Sequence, residues 1–232
     1  MKREKITAIV LAAGRGKRMN SKVQKQFLEL GGKPVLYYSL NCFQQSPLVT
    51  DIILVTGAES VAFCKEEIVE KYGFTKVKKV IPGGKERYDS VYEGLLSCEN
   101  SDFVLIHDGA RPFITQEILE RGMTGVRETG ACVIGMPSKD TVKVSDENGF
   151  VQETPERNLV WSVQTPQIFE YSLIRNAHEK IRCENMTGIT DDATVVERAS
   201  GTKIRLVEGS YKNLKITTPE DLDIAEIFLK NI

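Results

Sequence analysis

Apolar residues fall along this chain in two alternating patterns. Short runs rich in β-branched residues occupy positions 6–12 (Ile-Thr-Ala-Ile-Val-Leu-Ala), 51–56, 77–82, 102–107 and 131–137. Such runs are apolar on both faces, as strands in a sheet covered on both sides are. Between them, positions 34–45, 59–72, 87–98 and 115–128 have the length and apolar spacing of helices. Pro34 suits a first helical turn and Gly73 a helix end. Strand–helix alternation of this kind predicts an α/β fold with an open, mostly parallel, Rossmann-like sheet.

From about 139 to 163 the pattern changes. Polar and apolar residues alternate around Asn148-Gly149, a strong short-range hairpin signal. Residues 138–158 are therefore expected to leave the domain body as a β-hairpin arm. The chain returns through 160–163 and two helical stretches, 170–183 and 191–199. A strand at 203–207 and a last helix behind Thr218-Pro219-Glu220-Asp221 follow. No repeat or low-complexity linker intervenes, so residues 1–232 read as one domain carrying an arm.

Composition narrows the function classes. The 31 Lys+Arg and 32 Asp+Glu nearly cancel, to a net charge of −1. That balance argues against nucleic acid or an anionic membrane as the main partner. Five cysteines without a Cys-x-x-Cys pair, beside only two histidines, argue against a structural zinc site. They read as reduced thiols of a cytoplasmic protein. The apolar run at 6–12 is too short to span a bilayer and enters a glycine loop instead of a cleavage site.

Candidate chemistry concentrates where strands end. The first strand–helix junction reads Leu11-Ala12-Ala13-Gly14-Arg15-Gly16-Lys17-Arg18-Met19. Its small residues let backbone N–H groups approach an anion. Arg15, Lys17 and Arg18, followed by Lys22 and Lys25, add the cations that a polyphosphate requires. The dinucleotide fingerprint Gly-x-Gly-x-x-Gly fails at Met19, and no Walker loop is present. Gly83-Gly84 precedes a helix carrying Arg87 and Ser90, and His107-Asp108-Gly109-Ala110-Arg111-Pro112 ends another strand. Alone, Asp108 could be a helix cap and Arg87 half of a surface ion pair. Converging on one sheet edge, they point to a site.

These motifs together resemble the 2-C-methyl-D-erythritol 4-phosphate cytidylyltransferases, glycosyltransferase-A-like nucleotidyltransferases of the non-mevalonate isoprenoid route. The family's Ala-Ala-Gly-x-Gly-x-Arg-Met stands at 12–19, its Lys-Gln-Tyr/Phe at 25–27 and its Gly-Gly-x-x-Arg-x-x-Ser-Val at 83–91. His-Asp-x-Ala-Arg-Pro stands at 107–112, Asp-Thr-x-Lys at 140–143 and Gln-Thr-Pro-Gln-x-Phe at 164–169. Thr-Asp-(Asp/Glu)-Ala at 190–193 and Lys-x-Thr-x-Pro-Glu-Asp-Leu at 215–222 complete the set, in order along the chain. Leu11 and Gln24 stand where the family often has proline, and Gly109 where it often has alanine.

The resemblance implies transfer of CMP from CTP to 2-C-methyl-D-erythritol 4-phosphate, yielding 4-diphosphocytidyl-2-C-methyl-D-erythritol and pyrophosphate. It assigns Ala12, Ala13, Gly14, Gly16, Gly84, Arg87, Ser90, Gly109 and Arg111 to the nucleotide. Arg18 and Lys25 would stabilise charge at the α-phosphorus, with Arg157 and Lys215 completing the catalytic set. Asp108, Thr141, Arg157, Thr165, Thr190 and Lys215 would bind the second substrate, with Arg111 in the same pocket. Thr141 and Arg157 would come from a neighbouring subunit, making the arm both dimer contact and substrate wall. Mg²⁺ would be held mainly by the CTP phosphates, without a protein ligand set. No general base is implied, because a phosphate nucleophile is already ionised near neutral pH.

A sister enzyme acting on ribitol 5-phosphate shares this fold and chemistry. The segments 136–141 (Met-Pro-Ser-Lys-Asp-Thr) and 159–161 (Leu-Val-Trp) look more like the isoprenoid enzyme. A non-catalytic nucleotide-binding module would tolerate loss of Arg18 or Lys25, and both are present.

Overall fold

The run at 6–12 forms the central strand β1 (Ile6–Ala12), in which every side chain but Leu11 is buried. A computed structural model describes residues 4–14, 19, 23–184 and 188–230. After β1 come a two-residue hairpin, β2 (Glu29–Leu30) and β3 (Lys33–Pro34), then α1 (Val35–Gln45) and β4 (Asp51–Thr56). The next helical segment, α2 (Val61–Phe63), is entered through a 3₁₀ turn at Ala58–Ser60 and continues as a π-helix over Cys64–Glu70. Then follow β5 (Val77–Pro82), α3 (Arg87–Ser97), β6 (Phe103–Asp108), α4 (Gln116–Thr129) and β7 (Ala131–Pro137). A second short hairpin, β8 (Val144–Ser145) and β9 (Val151–Glu153), leads to β10 (Trp161–Glu170). The chain ends through α5 (Tyr171–Cys183), α6 (Asp192–Ser200), β11 (Arg205–Glu208) and α7 (Pro219–Leu229).

Seven strands form one sheet in the order β11–β7–β10–β6–β1–β4–β5. β1 pairs in parallel with β4 and β6, β4 with β5, and β7 with β11. Only β10 runs against its neighbours, β6 and β7. Side chains alternate across the sheet. Ala8 and Val10 of β1 join Leu36, Leu40, Ile118 and Met123 from α1 and α4 on one face. Ile9 joins Val91, Leu95, Ile174 and Val196 from α3, α5 and α6 on the other. Two covered faces explain why the interior strand runs are largely apolar, whereas the edge strand β5 carries Lys78 and Lys79 and buries no residue fully.

The chain winds outward from β1 to β4 and β5, then crosses back to β6 on the other side of β1. Connections above β1 and β6 therefore diverge and leave a crevice at their carboxyl ends, the position where open α/β sheets take ligands.

Three elements differ from the sequence reading. β10 is extended through Glu170, whereas only 160–163 was expected to be extended. Its middle, Gln164-Thr-Pro-Gln167, shows no apolar run, yet all four residues are buried. Their polar groups are satisfied across the fold: Gln164 Nε2 donates to Ser210 O and Gln167 Nε2 to Asp191 Oδ2, each at 2.8 Å. Pro166 lies where the pairing with β7 shifts register, between Val163 and Gln167, so its missing N–H costs no ladder bond there. The expected regular helix at 59–72 changes pitch from 3₁₀ to π, and the β2–β3 hairpin had no alternation long enough to detect.

β8 and β9 form their own two-stranded sheet with every residue exposed. Asp146 Oδ1 accepts the Asn148 and Phe150 N–H groups at 2.9 Å, and Gly149 takes φ +86°, a region open to glycine without strain.

His178, on α5, is fully buried with neither ring nitrogen hydrogen-bonded, and its ring stacks on Tyr92 at 6.0 Å. Burial foremost, then Arg182, Arg87 and Arg175, pushes its pKa down to about 3. The unfolded chain takes up this proton near the ordinary histidine value while the folded chain refuses it. The stability is thus complete above that value and is lost as pH falls toward 3. Replacing His178 by leucine should remove this dependence. Between about pH 6 and 4 the wild type should lose about 1 kcal/mol per pH unit relative to His178→Leu. Urea-unfolding midpoints across that range test this, and parallel pH curves would exclude it.

Candidate functional site

The crevice is a two-lobed cleft. Its first lobe, about 250 Å³, is lined by Ala12, Ala13 and Gly14 after β1, by Lys25, and by Gly84, Arg87 and Ser90. Lys25 sits on a 3₁₀ turn, Lys25–Phe27, that the buried Gln26 fastens to the end of β1. The Gln26 amide donates to Ala12 O at 2.5 Å and to Gln24 Oε1 at 2.6 Å. Across the lobe, Gly83 donates to Thr56 O at 2.7 Å. A Cβ there would fall 2.5 Å from Ser90 Oγ and 2.9 Å from Ala13 Cβ, so only glycine lets the two turns meet. Gly84 N–H donates to Ser90 Oγ at 3.1 Å, and a Glu86–Asp89 capping box opens α3 beside it.

A chain of four charges floors the cleft. Arg87 grips the fully buried Asp192 with both terminal nitrogens, at 2.9 and 2.8 Å, and reaches Asp108 Oδ1 with Nε at 3.3 Å. Lys215 Nζ lies 2.7 Å from Asp108 Oδ2. Two cations and two carboxylates alternate, so the group is neutral, and every charge has a hydrogen-bonded partner. Burial alone would raise the Asp108 carboxyl, but Arg87 and Lys215, helped by Arg111, hold it well below the usual carboxylate range. The same two carboxylates outweigh burial at Arg87 and keep it protonated.

The second lobe, about 360 Å³, shares Arg87, Asp108 and Lys215 with the first and adds Arg111, Thr165 and Thr190. Arg111 Nη1 donates to Asn213 O at 2.8 Å, whereas its buried Nε has no partner. Burial, with Arg87 nearby, lowers its pKa. Its charge is the one the four-membered chain leaves unbalanced, and it suits an anion. Asn213 is fully buried and donates to Gln164 Oε1 at 3.1 Å and Thr165 O at 2.9 Å, tying the Lys215 segment to β10.

The expected residues separate on this map. Ala12, Ala13, Gly14, Lys25, Gly84, Arg87 and Ser90 line the first lobe, Thr165 and Thr190 the second, and Asp108 and Lys215 both. Arg111, expected both with the nucleotide residues and in the second-substrate pocket, lines the second lobe and not the first. The turn closed by Arg111 N–H on Asp108 O, at 3.0 Å, carries it toward Asn213. Gly109 lines neither lobe: its N–H is spent on Leu11 O at 2.8 Å, and a Cβ would meet Leu36 at 2.7 Å. Thr141 and Arg157 line neither lobe and are exposed, Arg157 on a 3₁₀ turn beyond the hairpin. Gly16 and Arg18 lie outside the described residues. Asp192 and Asn213 were not anticipated. The doublet Asp191-Asp192 reads as a helix start, and Asp191 does cap α6, accepting Thr194 N–H at 2.9 Å, while Asp192 turns inward. Among the described residues, no three His, Cys, Asp or Glu side chains converge as metal ligands. No helix among them is long and apolar enough to cross a membrane.

Comparison with known proteins agrees over nearly the whole length. The family model described as "IspD: 2-C-methyl-D-erythritol 4-phosphate cytidylyltransferase" matches residues 6–231. The chain is similar to the 2-C-methyl-D-erythritol 4-phosphate cytidylyltransferase of Lachnoclostridium phytofermentans, 52% identical over 98% of this chain and 97% of that protein. The protein of the same name from Lachnospira eligens is 49% identical over 97% and 99%. Among solved structures, the 4-diphosphocytidyl-2C-methyl-D-erythritol synthase of Anaerococcus prevotii superposes with a TM-score of 0.87 at 35% identity, covering 98% of this chain and 96% of that one. Sequence and fold thus agree from one end of the chain to the other, and the chain belongs to the 2-C-methyl-D-erythritol 4-phosphate cytidylyltransferase family.

Proposed function

We propose that the two lobes divide between them the substrates of CMP transfer from CTP to 2-C-methyl-D-erythritol 4-phosphate. The observation that carries this reading is that both lobes are walled by the same Arg87, Asp108 and Lys215. The first lobe takes CTP, with base and ribose beside Ala12, Ala13, Gly84 and Ser90, and the phosphates toward Gly14, Gly16, Arg18 and Lys25. The second takes the sugar-alcohol phosphate among Asp108, Arg111, Thr165, Thr190 and Lys215. Its phosphate oxygen bonds to the α-phosphorus as the bond from that phosphorus to the pyrophosphate oxygen breaks.

Such a transfer needs alignment and charge stabilisation more than covalent help. Lys25 and Arg18 stabilise the negative charge that grows on the α-phosphoryl oxygens. Lys215 holds the attacking phosphate, oriented by its 2.7 Å contact with Asp108. Remaining lone pairs of Asp108 suit substrate hydroxyls. When bound, Mg²⁺ supplies neutralisation of phosphate charge. The pairing of both Asp108 oxygens with cations supports the CTP phosphates as its main ligands.

Homodimerisation through the arm completes the site on this reading. Phe150 and Leu159 are each 72% exposed and Val151 61%, an apolar surface that a partner chain would cover. An isolated hairpin is marginal in water, which also favours an arm ordered against a partner. Thr141 and Arg157, exposed and outside both lobes of their own chain, then reach the partner's second lobe. Five free cysteines support a reducing cytoplasm as the working compartment.

Pyrophosphate release from CTP with Mg²⁺ should require methylerythritol phosphate and should be slow with ribitol 5-phosphate. The reverse preference would reassign the second substrate. Lys25→Ala should lower kcat by the equivalent of about 2–4 kcal/mol while CTP affinity changes little, because this charge acts on the transition state. A large affinity loss with an unchanged rate would refute that role. Mixing Arg157→Ala with Lys25→Ala chains, each inactive alone, should restore up to about one quarter of the wild-type rate: half the dimers are mixed, and each has one intact site. No recovery despite mixing shown by mass spectrometry would place Arg157 in its own chain's site.

A further inference from the structure

We propose that His107 is a positioning residue of the second lobe, setting Thr165, Asp108 and Arg111 without touching either substrate. The inference rests on the reading of that lobe as the sugar-alcohol phosphate site. His107 is the penultimate residue of β6 and is fully buried, its ring edge-on to Phe43 at 5.3 Å. Strand alternation turns it into the core while Asp108 faces the cleft. Its Nε2 lies 3.2 Å from the Arg111 carbonyl oxygen. A carbonyl can only accept, so Nε2 carries the hydrogen. Burial foremost pushes the pKa of the ring down to about 4, so at neutral pH the imidazole is uncharged and Nδ1 is a bare acceptor. Nδ1 lies 3.1 Å from Thr165 Oγ1, which therefore donates to it. The same oxygen accepts Asp108 N–H at 3.0 Å.

One neutral ring thereby joins three segments that wall the lobe: β6, the turn bearing Arg111, and β10. Ser39 Oγ adds a second donor to Arg111 O at 3.1 Å. The hydroxyl hydrogen of Thr165 points at His107, so this side chain offers the lobe no donor for a phosphate, which needs donors. Thr165 works through the main chain of Asp108, and the expectation that its hydroxyl grips the substrate gives way to an anchoring role.

The test measures KM for each substrate, kcat and thermal midpoint in four variants. His107→Leu removes both ring bonds. His107→Asn returns an acceptor near Nδ1, Thr165→Val deletes the hydroxyl, and Thr165→Ser keeps it. His107→Leu should raise KM for methylerythritol phosphate about tenfold, the scale of one or two lost hydrogen bonds, with KM for CTP within about twofold. His107→Asn and Thr165→Ser should recover most of that loss. Adding Thr165→Val to His107→Leu should cost little more, since both cut the same relay.

Unchanged KM values with only a lower thermal midpoint would make His107 a core residue and nothing else. A full further loss on adding Thr165→Val would mean that Thr165 meets the substrate directly and would overturn the relay. If His107→Leu fails to fold, His107→Gln, which keeps the Arg111 bond and lacks the Nδ1 acceptor, stands in the same comparisons. Failure of the lobe assignment reads differently: Arg111→Ala would then raise KM for CTP and leave that for methylerythritol phosphate unchanged.

Discussion

Asp108 is the residue on which the site depends. It ends β6 in the crevice beside β1, with a guanidinium on one carboxylate oxygen and an ammonium on the other. Remove that carboxylate and Arg87 and Lys215 face each other across a partly dry cleft, beside Arg111. The cost of unpaired buried charge would fall on the three segments that carry them. Asp192 secures the far side of Arg87, so that the guanidinium plane is held on both edges. The arrangement is neutral before a substrate arrives, which lets it be buried. Arg111 and Lys25 line the same cleft as further cations, one in each lobe.

The sheet makes that meeting possible. A reversal of winding direction between β4–β5 and β6 opens a gap above β1 and β6 that helices do not fill. Small residues line one side of the gap, and at Gly83 the packing leaves no room for a side chain, since a Cβ there would collide with Ser90 and Ala13. The single antiparallel strand, β10, lines the other side. Because it runs against β6, its buried Thr165 is brought beside Asp108 and His107. The cleft thus has a close-packed backbone wall on one side and a hydrogen-bonded polar wall on the other, with Arg87, Asp108 and Lys215 shared between its lobes.

Much of this was legible in the chain itself. The runs at 6–12, 51–56, 77–82 and 131–137 became strands with the same bounds. Burial on both faces gives the interior runs their apolar signature, and the edge run at 77–82, with Lys78 and Lys79, keeps enough of it to be recognised. The small-residue turns at 12–14 and 83–84, and the charged strand end at Asp108, each ambiguous alone, point to a ligand edge through their convergence at strand ends. Their order along the chain identified the family.

Only the tertiary structure decided who partners whom. β10 hid its strand character because Gln164, Thr165 and Gln167 are polar, and they are buried only because Ser210, His107 and Asp191 wait for them in distant segments. Arg87 and Asp192 are 105 positions apart, and nothing local marks Asp192 as more than a helix-start acid. Gly109 and Arg111, two residues apart, part company because one turn sends the first into the core and the second to Asn213. Periodicity records which side of an element is buried. Which polar group meets which across the sheet follows from strand order and direction, and those exist only in the folded chain.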